Sequence, residues 1–351
     1  MKPFEYLRPA SLDEALAAAA LPGAAYLAGG TNLLDLMKTG VAQPVRLVDV
    51  SRLPGLDRIE MRAEGGARVG AMVRNADLAR HPAFAAAFPA VAEALLSGAS
   101  PQLRNAATVG GNLMQRTRCA HFFDPASDCE RRWPGAGCAA RTGDNHSAAI
   151  LGWSPSCVAT HPSDFCVPLV ALDAEVEIIG PAGKRVLPLE ALHRLPGDTP
   201  SRETELAPGE LVTALVLPPD GAAFRSHARY LKLRERTSFA FALVSVAAGL
   251  DLAEGRIRAA RVALGGVAAK PWRAREAEAV LESAPPDRAA FTRAAEVALA
   301  KAEAPDGNAE KIVLARRLIV RALEAATLGT PDRVPALPGS VLADAGSALH
   351  V

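Results

Sequence analysis

The stretch Ala25-Tyr26-Leu27-Ala28-Gly29-Gly30-Thr31-Asn32-Leu33 decides how the first part of the chain folds. Its first four residues are apolar and predict a short buried strand, and a helix is predicted directly after the glycine turn, from Leu33 to Lys38. The glycines can adopt positive φ and let a ligand approach the backbone. The helix start offers free N–H groups to a phosphate. The pattern is neither Gly-x-Gly-x-x-Gly nor a P-loop, so we do not expect an ordinary Rossmann or ATP site.

A second glycine turn repeats this pattern at Thr108-Val109-Gly110-Gly111-Asn112-Leu113, again with Thr before the glycines and Asn after them. Two such turns in one domain suit a diphosphate held between two backbone loops. Each turn by itself is also typical of a structure without a ligand: a tight strand-to-helix connection for the first and a hairpin turn for the second. The residues alone leave both alternatives open.

All five cysteines lie in one part of the chain. Cys119, Cys129, Cys138 and Cys157 are separated by 9, 8 and 18 residues, and Cys166 follows. The surrounding segment is rich in turn-forming residues, so we expect it to bury little apolar surface and to need another source of order. Four thiolates on an iron–sulfur cluster would supply it. Zinc, disulfides and unpaired cysteines stay open as alternatives. Zinc is less favoured because the sequence has no Cys-x-x-Cys pair, and disulfides are less favoured because we identify no secretory signal.

Composition excludes some classes of function. The 351 residues carry a net charge of +1, whereas a general nucleic-acid-binding protein shows a basic excess. No apolar run reaches about 18 residues, so no membrane span is expected. The first residues lack an apolar signal core, which predicts a cytoplasmic chain. A periplasmic location would require export together with a partner that carries the signal.

The pattern of strands and helices predicts an α+β protein with two domains. The first covers residues 1–222, with a small lobe at about 1–55 and a larger lobe at about 56–222 that contains the cysteine loop, residues 113–166. A strand is predicted from Cys166 to Leu172. The second domain, residues 223–330, is predicted to have a three-stranded sheet followed by three helices, and residues 331–351 form a tail.

The two glycine turns, the Arg104-Asn105 pair and the segment Arg229-Tyr230-Leu231-Lys232 together resemble the FAD-binding subunit of the xanthine dehydrogenase family, the medium subunit of molybdenum hydroxylases. The resemblance implies a PCMH (vanillyl-alcohol-oxidase-type) FAD-binding domain and a C-terminal domain of the CO dehydrogenase flavoprotein type. Asp164 would bind the adenosine portion of FAD, and Lys232 would lie near the flavin ring. The FAD pyrophosphate would lie between two sets of residues: Ala28, Gly29, Gly30, Thr31, Asn32, Leu33 and Leu34 on one side, and Thr108, Gly110, Gly111 and Asn112 on the other. Tyr26 and Leu27, just before the first turn, would also bind the cofactor.

The cysteine loop is similar to that of the flavoprotein subunits of periplasmic aldehyde oxidoreductases and, in kind, to that of 4-hydroxybenzoyl-CoA reductase. This similarity implies a [4Fe-4S] cluster bound by Cys119, Cys129, Cys138 and Cys157, with Cys166 a small buried residue. Four arginines crowd the loop, and their charge would offset that of a thiolate-bound cluster and raise its potential. A solvated or partner-facing surface explains them equally well. They are Arg116, Arg118, Arg131 and Arg132.

The resemblance implies an electron-transfer subunit. A partner with a molybdenum cofactor, the large subunit, would oxidise the substrate, and [2Fe-2S] clusters of a small subunit would pass the electrons to this FAD and on to an external acceptor. One alternative is a self-sufficient FAD oxidase or dehydrogenase, but the sequence offers no His/Tyr/Glu set for a substrate over the flavin. Another alternative is a non-redox module ordered by zinc.

Overall fold

The first lobe is built on three short parallel strands. The structure is a computed structural model that describes residues 1–305 and 307–332. The sheet order is β1-β3-β2, so the chain crosses over twice through short helices. The elements are β1 (Glu5–Leu7), α1 (Leu12–Ala19), β2 (Ala24–Leu27), α2 (Leu33–Lys38) and β3 (Arg46–Asp49).

Helix α1 begins with a capping box. The Ser11 side chain accepts a hydrogen bond from the backbone N–H of Glu14 at 3.2 Å, and the Glu14 carboxylate accepts one from the N–H of Ala10 at 2.8 Å. These bonds satisfy N–H groups that a helix start leaves without partners. The bounds of α2 are those predicted from the sequence.

The second lobe surrounds an antiparallel five-stranded sheet whose core is continuous with that of the first lobe. Its strands are β4 (Ile59–Met61), β5 (Ala67–Gly70), β6 (Glu175–Gly180), β7 (Gly183–Pro188) and β8 (Leu211–Leu217). They pair in the order β4-β5-β8-β6-β7. The helices of this lobe are α3 (Asn75–Arg80), α4 (Pro82–Ala87), α5 (Pro89–Ser97), α6 (Pro101–Ala106), α7 (Val109–Leu113), α8 (Ala120–Phe123), α9 (Cys166–Ala171) and α10 (Leu189–Leu192).

The strand predicted from Cys166 to Leu172 is wrong, because the structure has helix α9 there. Every residue of α9 is buried, so the apolar run carries no helical periodicity and looks like a buried strand. Two local features allow the helix. The N–H of Cys166 is bound by the Ser163 hydroxyl at 3.2 Å. Pro168 lies in the first turn, where the missing N–H costs no intrahelical bond.

The C-terminal domain has the three strands and three helices that the sequence predicts. The strands β9 (Ala228–Leu233), β10 (Val244–Ala253) and β11 (Arg256–Gly265) form an antiparallel sheet, and a two-residue strand, β12 (Trp272–Arg273), extends it at one edge. Helices α11 (Arg275–Leu281), α12 (Arg288–Ala298) and α13 (Glu310–Thr327) share one apolar core with the sheet. The tail predicted at 331–351 lies almost entirely outside the described residues.

The cysteine loop buries more apolar surface than we expected. Phe122 is 1% exposed and packs with Leu36 and Cys129. Ile150 and Leu151 belong to the core of the C-terminal domain, and both of their N–H groups donate to the carbonyl of Val267. Full burial of such side chains contributes about 2 kcal/mol each. The loop is therefore anchored on both domains by packing, independently of what its cysteines bind.

Lys311 fixes the same loop to helix α13. The residue is 2% exposed, and its ammonium group donates to the backbone carbonyls of Ser147 and Ala148 at 2.8 and 2.7 Å. The side chain of Asn308 donates to the carbonyl of Ala148 as well. Desolvation lowers the pKa of Lys311 from 10.5 to about 7, because the buried site disfavours the charged form.

This pKa predicts how stability depends on pH. Between pH 7 and pH 10 the unfolded chain keeps the Lys311 proton that the folded chain has lost, so the free energy of unfolding should rise with pH. The slope from this one group is at most about 1.4 kcal/mol per pH unit. Urea unfolding at pH 7, 8 and 9 should show this contribution in the wild type and lose it in Lys311→Met. The exposed Lys301→Met is the matched control, and equal slopes in all three proteins would contradict the prediction.

Within residues 1–305 and 307–332, no helix has the length and apolar character needed to cross a membrane.

Candidate functional site

The two glycine turns face one another. A Cβ atom on Gly29 would lie 2.1 Å from the carbonyl oxygen of Ala106, just before the second turn, and one on Gly111 would lie 3.9 Å from the Ala28 side chain. Gly30 has φ of +72°, a conformation that favours glycine. The close approach of the turns therefore depends on residues without side chains.

The second turn is the start of a short helix, and not the hairpin turn that was the ligand-free alternative. Thr108 precedes α7, and its hydroxyl accepts from the N–H of Gly111 at 3.1 Å. Gly110 packs against Ala71 beneath the turn. The Asn112 side-chain oxygen accepts from the hydroxyl of Ser163 at 2.8 Å, which ties the turn to the segment before α9.

A cleft of about 680 Å³ lies between the glycine turns, the cysteine loop and the C-terminal domain. Such a volume is typical of cofactor sites. Five of the residues predicted to bind FAD line it: Thr31, Asn32, Gly111, Asn112 and Asp164. The other residues predicted for the two turns, and Lys232, are not among those that line it. Tyr26 is directed elsewhere, with its hydroxyl donating to the carbonyl of Gly209 at 2.8 Å.

Among the described residues, Asn32 is one of several that line this cleft and have a buried side-chain atom without a hydrogen-bond partner. The Asn32 side-chain oxygen accepts from the backbone N–H of Arg116 at 3.0 Å, which fixes the orientation of the amide. Its Nδ2 atom is buried and unpaired. A buried donor without an acceptor costs about 1–3 kcal/mol. A ligand oxygen in the cleft would remove this cost.

Asp164 and Lys232 form one buried group. The Lys232 ammonium lies 2.8 Å from the Asp164 carboxylate, and the two side chains are 4% and 8% exposed. The Tyr230 hydroxyl donates to the other carboxylate oxygen at 2.6 Å, and burial raises the pKa of Tyr230 well above its usual value. The sequence-based expectation assigned Asp164 to the adenosine and Lys232 to the flavin ring. The two side chains are in direct contact, and the part of FAD that each would bind stays a prediction.

Removing the carboxylate charge should destabilise the folded protein. In Asp164→Asn the ammonium of Lys232 stays buried without a counter-charge, and we expect a loss of about 3 kcal/mol in the free energy of unfolding. The control is Asp251→Asn, whose partner Arg258 is 69% exposed and stays hydrated, so a change below about 1 kcal/mol is expected. Urea unfolding of both variants without added FAD measures this. Equal effects would contradict the assigned role of the pair.

Several residues of the cleft were not identified from the sequence. The end of α5 and the turn after it contribute Ala94, Leu95, Gly98 and Ala99, and the C-terminal domain contributes Phe239, Phe241 and Ser245. Arg104 stabilises the turn, because its guanidinium donates to the carbonyl of Gly98 at 2.7 Å. Of the residues named in this paragraph, Arg104 alone belongs to a motif, Arg104-Asn105, that contributed to the family resemblance. Phe239 and Phe241 are about half exposed beside the cleft.

The four loop cysteines predicted as ligands line one small hollow. Cys129 and Cys138 lie opposite each other in an isolated antiparallel bridge, and Cys119 and Cys157 line the same hollow. All five cysteines are free thiols. Burial raises the pKa of Cys119 and of Cys138, an effect that nearby backbone N–H groups partly offset. A metal centre there must displace thiol protons.

A different trio, His161, Cys166 and His193, has its candidate metal-ligand atoms within 4.8 Å of one another. Nδ1 of His161 accepts from the N–H of Ser163, which leaves the ring hydrogen on Nε2. Burial lowers the pKa of His193 to about 4 and that of His161 well below its usual value. The two imidazole rings are therefore neutral. Cys166 is 0% exposed, which agrees with the prediction that it is a small buried residue.

Comparison with known proteins places this site in a family. Residues 2–220 match the family described as FAD binding domain in molybdopterin dehydrogenase, and residues 229–326 match the CO dehydrogenase flavoprotein C-terminal domain. The aldehyde oxidoreductase FAD-binding subunit PaoB of Escherichia coli K12 is 47% identical over 92% of this chain and 98% of its own length. The nicotine 6-hydroxylase medium subunit of Paenarthrobacter nicotinovorans is 29% identical over 81% of this chain and 82% of its own.

Solved structures agree with the sequence matches. A chain of reconstituted CO dehydrogenase from Oligotropha carboxidovorans superposes with a TM-score of 0.73 at 28% identity, covering 94% of this chain and all of that one. A chain of quinoline 2-oxidoreductase from Pseudomonas putida 86 gives 0.70 at 26% identity, covering 93% and 99%. The fold and family inferred from the glycine turns are confirmed. The chain belongs to the FAD-binding medium subunits of the xanthine dehydrogenase family of molybdenum hydroxylases.

Proposed function

We propose that this chain is the FAD- and [4Fe-4S]-carrying electron-transfer subunit of a molybdenum-dependent aldehyde oxidoreductase. A large subunit with the molybdenum cofactor would oxidise the aldehyde. A small subunit with [2Fe-2S] clusters would deliver the electrons, and an external acceptor would remove them. One observation carries the proposal: the cleft between the glycine turns occurs in a chain 47% identical to an aldehyde oxidoreductase FAD-binding subunit.

The residues of the cleft fit FAD. When bound, FAD supplies a redox centre that can exchange electrons with one-electron clusters and with a two-electron acceptor. The glycines keep the turns free of side chains where a diphosphate would approach the backbone. The unpaired Nδ2 of Asn32 would donate to the ligand. The salt bridge between Lys232 and Asp164 fixes the carboxylate at the wall of the cleft.

The loop cysteines support the cluster. Cys119, Cys129, Cys138 and Cys157 all line one hollow, so four thiol groups are available to one centre. Four cysteine thiolates are the ligand set of a [4Fe-4S] cluster. Zinc sites usually have ligands paired two to four residues apart, and the spacing of these cysteines lacks such a pair.

The two cofactor sites would share a wall. Cys119 lines both the cleft and the cysteine hollow, and Ala140 and Ala159 do so as well. A cluster bound there would lie beside the FAD site. This proximity supports a role for the cluster in electron transfer, in addition to ordering the loop.

The test uses the assembled complex. Anaerobic addition of an aldehyde should bleach the flavin absorbance, and a complex that lacks FAD should still reduce its [2Fe-2S] clusters without reducing an external acceptor. A flavin that stays oxidised while aldehyde is consumed would refute the electron-transfer role.

A further inference from the structure

The four arginines of the cysteine loop do not all contact the same kind of group. Arg118 pairs with the carboxylate of Asp35 at 3.0 Å and donates to the carbonyl of Thr31. Arg132 donates to backbone carbonyls, including that of His121 at 2.7 Å. Neither guanidinium donates to a sulfur in the described structure. Their charges organise the backbone of the loop and its contact with α2.

Arg131 differs from them because it reaches a cysteine. Its guanidinium donates to Sγ of Cys157 at 3.5 Å, within the distance accepted for a hydrogen bond to sulfur. The side chain is 6% exposed, and it lines the hollow together with the four cysteines. A cation in this position stabilises negative charge on the sulfur, and the low local dielectric strengthens the effect.

Glu203 holds Arg131 in place. Its carboxylate lies 2.7 Å from the Arg131 guanidinium and is 17% exposed. Arg116 pairs with the same carboxylate. The backbone N–H of Arg116 donates to the side chain of Asn32 in the first glycine turn. A continuous set of contacts thus runs from Cys157 to the FAD cleft.

We infer that Arg131, oriented by Glu203, sets the reduction potential of the cluster through its hydrogen bond to Cys157. The inference rests on the proposed function, because it requires the cluster. Reduction adds negative charge to the cluster, so the positive charge of Arg131 favours the reduced state and the negative charge of Glu203 opposes it. Removing the two charges should therefore shift the potential in opposite directions. If Arg131 and Glu203 only held the loop in place, the two substitutions would not shift the potential in opposite directions.

The experiment is a redox titration of the cluster by EPR, in complexes with four iron atoms beyond those of the small subunit. At the midpoint potential of the wild-type cluster, Arg131→Gln should lower the ratio of reduced to oxidised cluster about tenfold, a downward shift of about 59 mV for one electron. Glu203→Gln should raise the ratio. The matched control is Arg141→Gln, because Arg141 is exposed in the same loop and its charge is screened by solvent.

Opposite shifts with an unchanged control support the inference. Equal potentials in all variants, or shifts of the same sign, overturn it while leaving the proposed function intact. If Arg131→Gln does not retain its iron, Glu203→Gln decides: an upward shift supports the inference, and an unchanged or lower potential overturns it. Absence of iron from the wild-type chain would instead refute the cluster itself.

Discussion

Replacing Gly29 with alanine is expected to abolish FAD binding. The new methyl group would lie 2.1 Å from the carbonyl oxygen of Ala106 and 2.8 Å from its carbonyl carbon. These are backbone atoms and cannot rotate away, so the two glycine turns must separate. FAD per chain, measured by flavin absorbance after release from the protein, should fall at least tenfold relative to the wild type.

The control for this prediction is the same substitution away from the cleft. A methyl group on Gly221 would lie 3.3 Å from the ring of Phe88. This ring belongs to a side chain, which can shift by a few tenths of an ångström to relieve the contact. Gly221→Ala should therefore keep its FAD. Circular dichroism of both variants checks that the sheets are intact. A Gly29→Ala protein with full FAD occupancy would show that the turns do not hold the cofactor.

Replacing any one of the four cysteines of the hollow with serine is expected to remove the cluster. A serine hydroxyl at Cys129 is a poor replacement for a thiolate ligand, and the four sulfurs line one hollow, so iron should fall from about four atoms per chain to near zero. FAD should stay bound, because Phe122, Ile150 and Leu151 anchor the loop independently.

Cys166 provides the matched control. It is fully buried in the core of the FAD-binding domain and does not line the hollow. Cys166→Ala should keep all of its iron and lose about 1 kcal/mol of stability through the small cavity left behind. Loss of iron from Cys166→Ala, or its retention in Cys129→Ser, would show that the ligand set is wrong.

The glycine turns could be predicted from the sequence because their signals are local. Strand, glycines and helix follow one another within fifteen residues, and the predicted bounds of α2 are those observed. Helix α9 was missed because a fully buried run has no periodicity that separates helix from strand. The pairing of Lys232 with Asp164 joins residues 68 positions apart, and neither neighbourhood signals the other. Likewise, all four loop arginines look alike in sequence, and only their contacts single out Arg131.

The cofactor content of the chain, purified anaerobically within its complex and then separated from its partners, is the most direct measure of whether it holds FAD and the cluster. We expect one FAD with about four iron atoms and four acid-labile sulfides per chain. Dithionite should bleach both the flavin bands and a broad iron–sulfur shoulder. FAD without iron would contradict the cluster and leave the flavoprotein assignment in place. A folded chain with neither FAD nor iron would contradict the account as a whole.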